Sequence, residues 1–338
     1  MKKRILALFA AAALTVTGLS ACGSAAPTAQ PADVEPAADA DQPLKIVATI
    51  FPEYDWTREL LGDNAAHADL TLLLDNGVDL HSFQPTAADI LKIANCDLFI
   101  YVGGESDGWV KDALGEATNP DLVTINLLDV LGDTVREEEV VEGMQTEDEH
   151  EHETEDAEGP EYDEHVWLSL KNASTLCTAI SNALVQLDPA NAAAYQANAA
   201  AYAAKLSALD RNYQQAVDHA ARKTVLFGDR FPFRYLADDY GLTYYAAFVG
   251  CSAETEASFT TVTALAAKVD ELGLPAVLTI EGANHKIAET IVENTQAKTQ
   301  QILTMDSMQA TTSADAAGGA TYLSIMEKNL GVLQAALQ

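Results

Sequence analysis

Two blocks of short apolar runs alternating with helical stretches, separated by one long alanine-rich helix, constrain the fold of this chain more than any other feature. In the first block Ile46 to Phe51, Leu70 to Leu74, Leu98 to Val102 and Leu122 to Leu127 read as buried strands, with helices beginning near Tyr54, Thr86 and Trp109. The second block repeats the style, with strands near Thr224 to Phe227, Thr243 to Phe248, Val277 to Ile280 and Ile302 to Met305, and helices near Phe233, Ala257, Lys286 and Tyr322. Short apolar runs of this kind fit strands covered on both faces, and their alternation with helices predicts α/β units on largely parallel sheets. Between the blocks, Asp188-Pro189 offers an N-cap and a first-turn proline for a helix running to about Arg222. Tyr195, Tyr202, Leu206, Leu209, Tyr213 and Val217 recur on it at helical spacing. At 1.5 Å per residue its length is about 50 Å, enough to join two lobes stiffly. The expected architecture is α/β, with an N-terminal lobe over residues 44–187, a linking helix over 188–222, a C-terminal lobe over 223–338 and a cleft between the lobes.

The N-terminus predicts the compartment. Lys2-Lys3-Arg4, the apolar run Ile5 to Leu14 and the string Leu19-Ser20-Ala21-Cys22 fit a lipoprotein signal peptide over residues 1–21, with Cys22 as the lipidated first residue of the mature chain. Residues 22–43 have almost no large apolar side chain and read as a disordered tether. The expected location is therefore the extracytoplasmic face of the cell membrane, held by a lipid anchor. The 19 Lys and Arg against 51 Asp and Glu give a formal net charge of -32. Such a body repels nucleic acid and anionic headgroups and favours cations; no nucleic-acid partner is expected, and the protein is expected to be a monomer.

Residues 137–164 hold fifteen acidic residues and no basic ones, with His150 and His152 embedded in Glu149-His150-Glu151-His152-Glu153. Imidazoles alternating with carboxylates on a loop would make a weak, adaptable collector of divalent metal. Cys96, Cys177 and Cys251 permit at most one internal disulfide, and none lies at C-x-x-C spacing, so they read as small buried side chains rather than a thiolate zinc cluster. Two histidines stand apart. His81, in Asp79-Leu80-His81-Ser82-Phe83-Gln84-Pro85-Thr86, lies between a predicted strand and a helix that Thr86 and Asp89 cap; His165, in Asp163-Glu164-His165-Val166-Trp167-Leu168-Ser169, again precedes a helix. Histidines at strand ends of open α/β sheets point toward the crevice where such folds bind ligands.

These two strings, the acidic histidine loop before the second, the lipobox, the long linking helix and the C-terminal helix from Tyr322 to Leu337 resemble the metal-specific solute-binding lipoproteins of ABC importers, the ZnuA/TroA-like group. The resemblance covers nearly all of residues 44–338 and implies two α/β lobes with one Zn²⁺ or Mn²⁺ between them. It implies no catalysis, and it implies delivery to an ABC permease driven by a separate ATPase subunit. Carried over by position, it makes His81 and His165 the N-lobe ligands and Asp306 a C-lobe carboxylate ligand. Where its members carry a third histidine or glutamate, this chain has Arg230, whose guanidinium has no lone pair to give. Asp229, Glu281, His285 or water are the open substitutes, with Asp229 or water favoured. Arg230 is read as a gate that pairs with a carboxylate such as Asp306. Two imidazoles and a carboxylate favour Zn²⁺ over Mn²⁺. Two other readings compete: a surface adhesin that has lost the metal site, and a serine hydrolase using Ser106 in the G-x-S-x-G match Gly104-Glu105-Ser106-Asp107-Gly108.

Overall fold

The computed structural model describes residues 42–145, 161–252, 256–282 and 284–338. Cys22, His150 and His152, with the signal segment, lie outside the described residues. Residues 42–338 belong to one compact unit.

The N-terminal sheet has four parallel strands, β1 (Leu44–Ala48), β2 (Ala68–Leu72), β3 (Leu98–Tyr101) and β4 (Val123–Asn126), in the order β2-β1-β3-β4. Its helices are α1 (Phe51–Leu61), α2 (Ala87–Ala94), α3 (Val110–Gly115), α4 (Leu127–Leu131) and α5 (Leu170–Leu187). The linking helix α6 (Ala192–Asp218) follows. The C-terminal sheet repeats the topology with β5 (Thr224–Phe231), β6 (Thr243–Val249), β7 (Ala276–Thr279) and β8 (Gln301–Thr304), all parallel, in the order β6-β5-β7-β8. Helices α7 (Arg234–Tyr240), α8 (Phe259–Leu272), α9 (Lys286–Asn294), α10 (Ser313–Ala317) and α11 (Tyr322–Ala336) accompany it. Ile46, Leu98, Phe99 and Ile100 in the first sheet and Leu226, Phe227, Val277 and Leu278 in the second are buried, which is why these strands read as continuous apolar runs. In each sheet the strand order reverses beside the first strand, and ligand crevices of open α/β sheets form outside the carboxyl ends at that point.

The linking helix is shorter than its sequence suggests. Residues Pro189–Asn191 form a separate 3-10 turn, and the 27 residues of α6 span about 40 Å. Asp188 does not cap α6; its carboxylate accepts hydrogen bonds from the Tyr195 hydroxyl at 2.6 Å and the Asn191 amide at 2.7 Å. The helix touches both lobes: Asn198 donates to the Leu60 carbonyl at 3.0 Å, Tyr213 to the Met326 carbonyl at 2.6 Å, and Asp210 accepts from Tyr240 at 3.0 Å. Further buried contacts cross between the lobes. Trp167 donates its indole N–H to the Ser307 carbonyl at 2.8 Å, Tyr322 donates its hydroxyl to the Trp167 carbonyl at 2.7 Å, and the Trp56 and Tyr322 rings meet edge-on with centroids 5.1 Å apart. Among the described residues no helix is long and apolar enough to cross a membrane.

Candidate metal centre

His81 sits in the 3-10 turn Leu80–Ser82 that follows β2. Asp79 caps that turn, accepting the His81 backbone N–H at 3.0 Å. Thr86 and Asp89 form the expected reciprocal capping box at the start of α2, which fixes where the His81 segment ends. His165 precedes the 3-10 turn Val166–Leu168, whose Trp167 and Leu168 are wholly buried. An isolated antiparallel bridge between Glu137 and Tyr162 closes the base of the acidic segment before it.

These two turns bring the imidazoles together, tilted at 53° with their Nε2 edges adjacent. The Nε2 atoms of His81 and His165 are 3.1 Å apart, with ring centroids at 5.0 Å. Two nitrogens bound tetrahedrally to one zinc at about 2.0–2.1 Å stand about 3.3 Å from each other, so the observed separation is close to one edge of a zinc tetrahedron. Each ring is held from its other side. His165 Nδ1 lies 2.9 Å from Asp163 Oδ1, which also accepts the His165 backbone N–H at 2.9 Å; a ring that donates there leaves Nε2 free as a ligand. His81 Nδ1 lies 2.7 Å from Ser106 Oγ and 3.5 Å from Glu164 Oε2. Glu164 Oε1 accepts the Ser106 N–H at 2.9 Å, while Oε2 is buried without a hydrogen-bond partner. The loop passes Glu164 only because Gly104 has φ +81° and no Cβ, which would collide with that carboxylate.

The pair is electrostatically unequal. Burial disfavours a charged His165, but the adjoining Asp163 carboxylate, together with the Glu164 and Asp79 charges, outweighs it and holds the His165 pKa above its ordinary value. Burial and the neighbouring His165 push His81 down to about 3. A proton between the rings therefore belongs to His165, and a cation that replaces it finds Asp163, Glu164 and Asp79 around it.

The C-lobe residues named from the sequence are placed differently. Asp229 Oδ1 accepts the Arg230 N–H at 2.9 Å and Oδ2 the Ile280 N–H at 3.3 Å, tying β5 to the end of β7. Glu281 accepts from the Ser307 N–H and hydroxyl, both at 2.6 Å, and from the Gln309 N–H at 3.1 Å; Asp306 Oδ1 accepts the Met308 N–H at 2.8 Å. The turn that directs these amides holds Met308 at φ 65°, uncommon for a residue with a side chain. His285, just before α9, has a buried Nδ1 with no partner. None of these four joins the histidine pair: among the described residues, the one cluster of three or more candidate ligands whose atoms all lie within 4.8 Å of one another is His81, His165 and Cys251.

Two expectations change. Arg230 does not pair with Asp306. Its guanidinium forms a 2.6 Å ion pair with Asp79 and donates to the Ser252 carbonyl at 3.3 Å, because β5 delivers it opposite the N-lobe turn that carries His81. That pairing holds the Asp79 carboxyl below its usual range against the opposing effect of burial. Cys251, read as a small buried side chain, is half-buried beside the histidines; Cys96 and Cys177 are buried, and all three thiols are free. A lone cysteine carries no spacing signal, but the parallel register of Arg230 with Phe248 and Phe231 with Val249 places the residues after β6 next to the site. The hydrolase arrangement is not built here. Ser106 and Glu164 both approach Nδ1 of His81, whereas nucleophile and acid must hold opposite ring nitrogens.

Known proteins resemble this chain over most of its length. The profile of the family described as the periplasmic component A of the zinc-uptake complex matches residues 46–336. The zinc-binding lipoprotein AdcA of Streptococcus pneumoniae is 32% identical over 295 residues, covering 87% of this chain and 56% of that protein. This chain thus spans about half the length of the streptococcal relatives it matches. The high-affinity zinc uptake system protein ZnuA of Bacillus subtilis is 28% identical over 294 residues, covering 87% of this chain and 88% of that one. Among solved structures, the Zn(II)-bound ZnuA-like domain of Streptococcus pneumoniae AdcA aligns with a TM-score of 0.67 at 28% identity, over 87% of this chain and 99% of that domain.

Proposed function

The chain belongs to the family of the periplasmic component A of zinc-uptake complexes, and from that premise we propose that it is an extracytoplasmic receptor for zinc, taken in preference to manganese, that hands the ion to an ABC permease. The observation that carries this reading is the facing His81–His165 pair, 3.1 Å apart at Nε2 and oriented from behind by Asp163 and Ser106. Two imidazoles suit zinc, whereas manganese favours a larger set of oxygens. Asp306, with only one oxygen engaged by a backbone amide, is the C-lobe carboxylate proposed for the shell; Asp229 and Glu281, both of whose oxygens serve backbone amides, are set aside. The protein performs no catalysis. A lipid on Cys22 holds it to the membrane, residues 22–43 give it reach, and His150 and His152 gather zinc weakly. Energy for transport comes from the permease's ATPase subunit, since this chain has no phosphate-binding loop motif.

The test is competitive titration of the full chain with Zn²⁺ and Mn²⁺, repeated for His81→Ala and His165→Ala. One tight zinc per chain, weaker manganese binding and loss of tight zinc in both variants are expected. Weak binding alone, or tight binding that neither substitution reduces, would overturn the reading.

A further inference from the structure

Every member of a zinc shell must donate a lone pair, and Arg230, at the position where the resemblance puts a third ligand, cannot. The structure shows what Arg230 does instead. It spans from Asp79, the cap of the His81 turn, to the carbonyl of Ser252, the residue after Cys251. The same guanidinium therefore fastens both the histidine turn and the cysteine loop.

The loop comes close to His165 for an identifiable reason. A Cβ on Gly250 would stand 3.0 Å from His165 Nδ1, 3.1 Å from its Cε1 and 3.0 Å from the Phe231 carbonyl oxygen, so glycine at 250 lets the backbone pass against the ring. The next residue presents its sulfur to the pair, and Glu138 accepts the Cys251 backbone N–H at 2.9 Å. The three ligand atoms lie within 4.8 Å of one another. In a tetrahedral zinc site with nitrogens at about 2.0–2.1 Å and sulfur at about 2.3 Å, sulfur and nitrogen are about 3.5 Å apart, so a sulfur shift on the order of 1.5 Å closes the set.

We propose that Cys251 is the third zinc ligand, a thiolate that completes a His81–His165–Cys251 set beside Arg230, which cannot ligate. This rests on the receptor reading above and deepens it. As zinc binds, the S–H bond of Cys251 breaks, a zinc–sulfur bond forms and the proton leaves to solvent; nothing is oxidised or reduced. A bound cation's own charge favours the thiolate over the thiol. A soft donor in the shell also discriminates further against manganese.

The experiment loads the full chain with Co²⁺ and reads the near-ultraviolet charge-transfer band of thiolate-bound cobalt in the wild type and in Cys251→Ser. Zinc affinity by chelator competition is measured alongside. An intense band that vanishes in Cys251→Ser, with zinc affinity lower by roughly tenfold or more, is expected. A second readout does not depend on the variant folding: saturating zinc protects Cys251 of the wild type from alkylation. Tight cobalt or zinc binding without the band, a band that persists in Cys251→Ser, or alkylation of Cys251 that zinc does not slow would overturn the cysteine ligand and leave the receptor reading standing. Absence of tight binding in the wild type would overturn both.

Discussion

Removing the carboxylate behind His165 should change both how tightly zinc binds and how that affinity responds to pH. Asp163 Oδ1 accepts two hydrogen bonds from His165, one from its backbone and one from ring Nδ1, each 2.9 Å, and both side chains are buried. Loss of a partner that orients a metal-bound histidine costs about 10–100-fold in affinity, or about 1.4–2.7 kcal/mol. Asp163→Asn keeps one acceptor and should fall at the lower end; Asp163→Ala orphans both donors and should fall at the upper end. The pH response moves in a defined direction. In the wild type Asp163 raises the His165 pKa above its ordinary value despite burial, so protons compete with zinc as pH falls through that raised value. Without the carboxylate, burial is opposed only by the Glu164 and Asp79 charges, so the pKa falls and competition moves to lower pH. Chelator-competition titrations from about pH 8 to about pH 6 should show weaker binding at the high end and a flatter slope in both variants. Unchanged affinity with an unchanged slope would refute the claim that Asp163 sets the tautomer and basicity of His165.

Other outcomes follow from the same contacts. Arg230→Ala should lower stability by about 1–3 kcal/mol, because it strands the partly buried Asp79 carboxylate, and an Arg230→Ala/Asp79→Ala double-mutant cycle in urea should show coupling; additive effects would deny the bridge. Gly250→Val should weaken zinc binding by pressing on His165 and the Phe231 carbonyl, and tight binding equal to the wild type would mean the loop has room to spare. Glu53 is wholly buried, with Oε2 accepting the Thr49 N–H at 2.8 Å and Oε1 unpartnered; burial, then the nearby Asp107 charge, pushes its pKa from 4.5 to about 8. A raised folded pKa means the folded state holds the extra proton. This contribution is complete below about pH 4.5 and is lost as pH rises through about 8, at a slope of up to about 1.4 kcal/mol per unit. Urea midpoints should fall across that window and fall less in Glu53→Gln; parallel curves for the two proteins would rule Glu53 out as the source.

Strands were legible because their chemistry is local. Each of the eight predicted apolar runs overlaps a strand of the two parallel sheets, and the capping box of Thr86 and Asp89 marks the start of α2. The end of α6 was not legible. Ala220 and Ala221 favour helix, yet the chain leaves it after Asp218, where Arg222 N–H donates to the Leu337 carbonyl at 3.2 Å and leads into β5. The two histidines announced themselves through position before helices, but the rest of the site depends on parallel register between distant strands. Arg230 reaches Asp79 rather than Asp306, and Cys251 reaches His165, only because β5 and β6 pair as they do. Asp229 and Glu281 looked like available carboxylates in the sequence; the backbone amides they accept are invisible there.

The most direct test of the account is the zinc anomalous signal in crystals of the full chain grown with zinc. The account predicts one dominant peak within bonding distance of Nε2 of both His81 and His165, with Cys251 sulfur turned toward it. A dominant peak elsewhere, with the two imidazoles still facing each other and no ion between them, would contradict it.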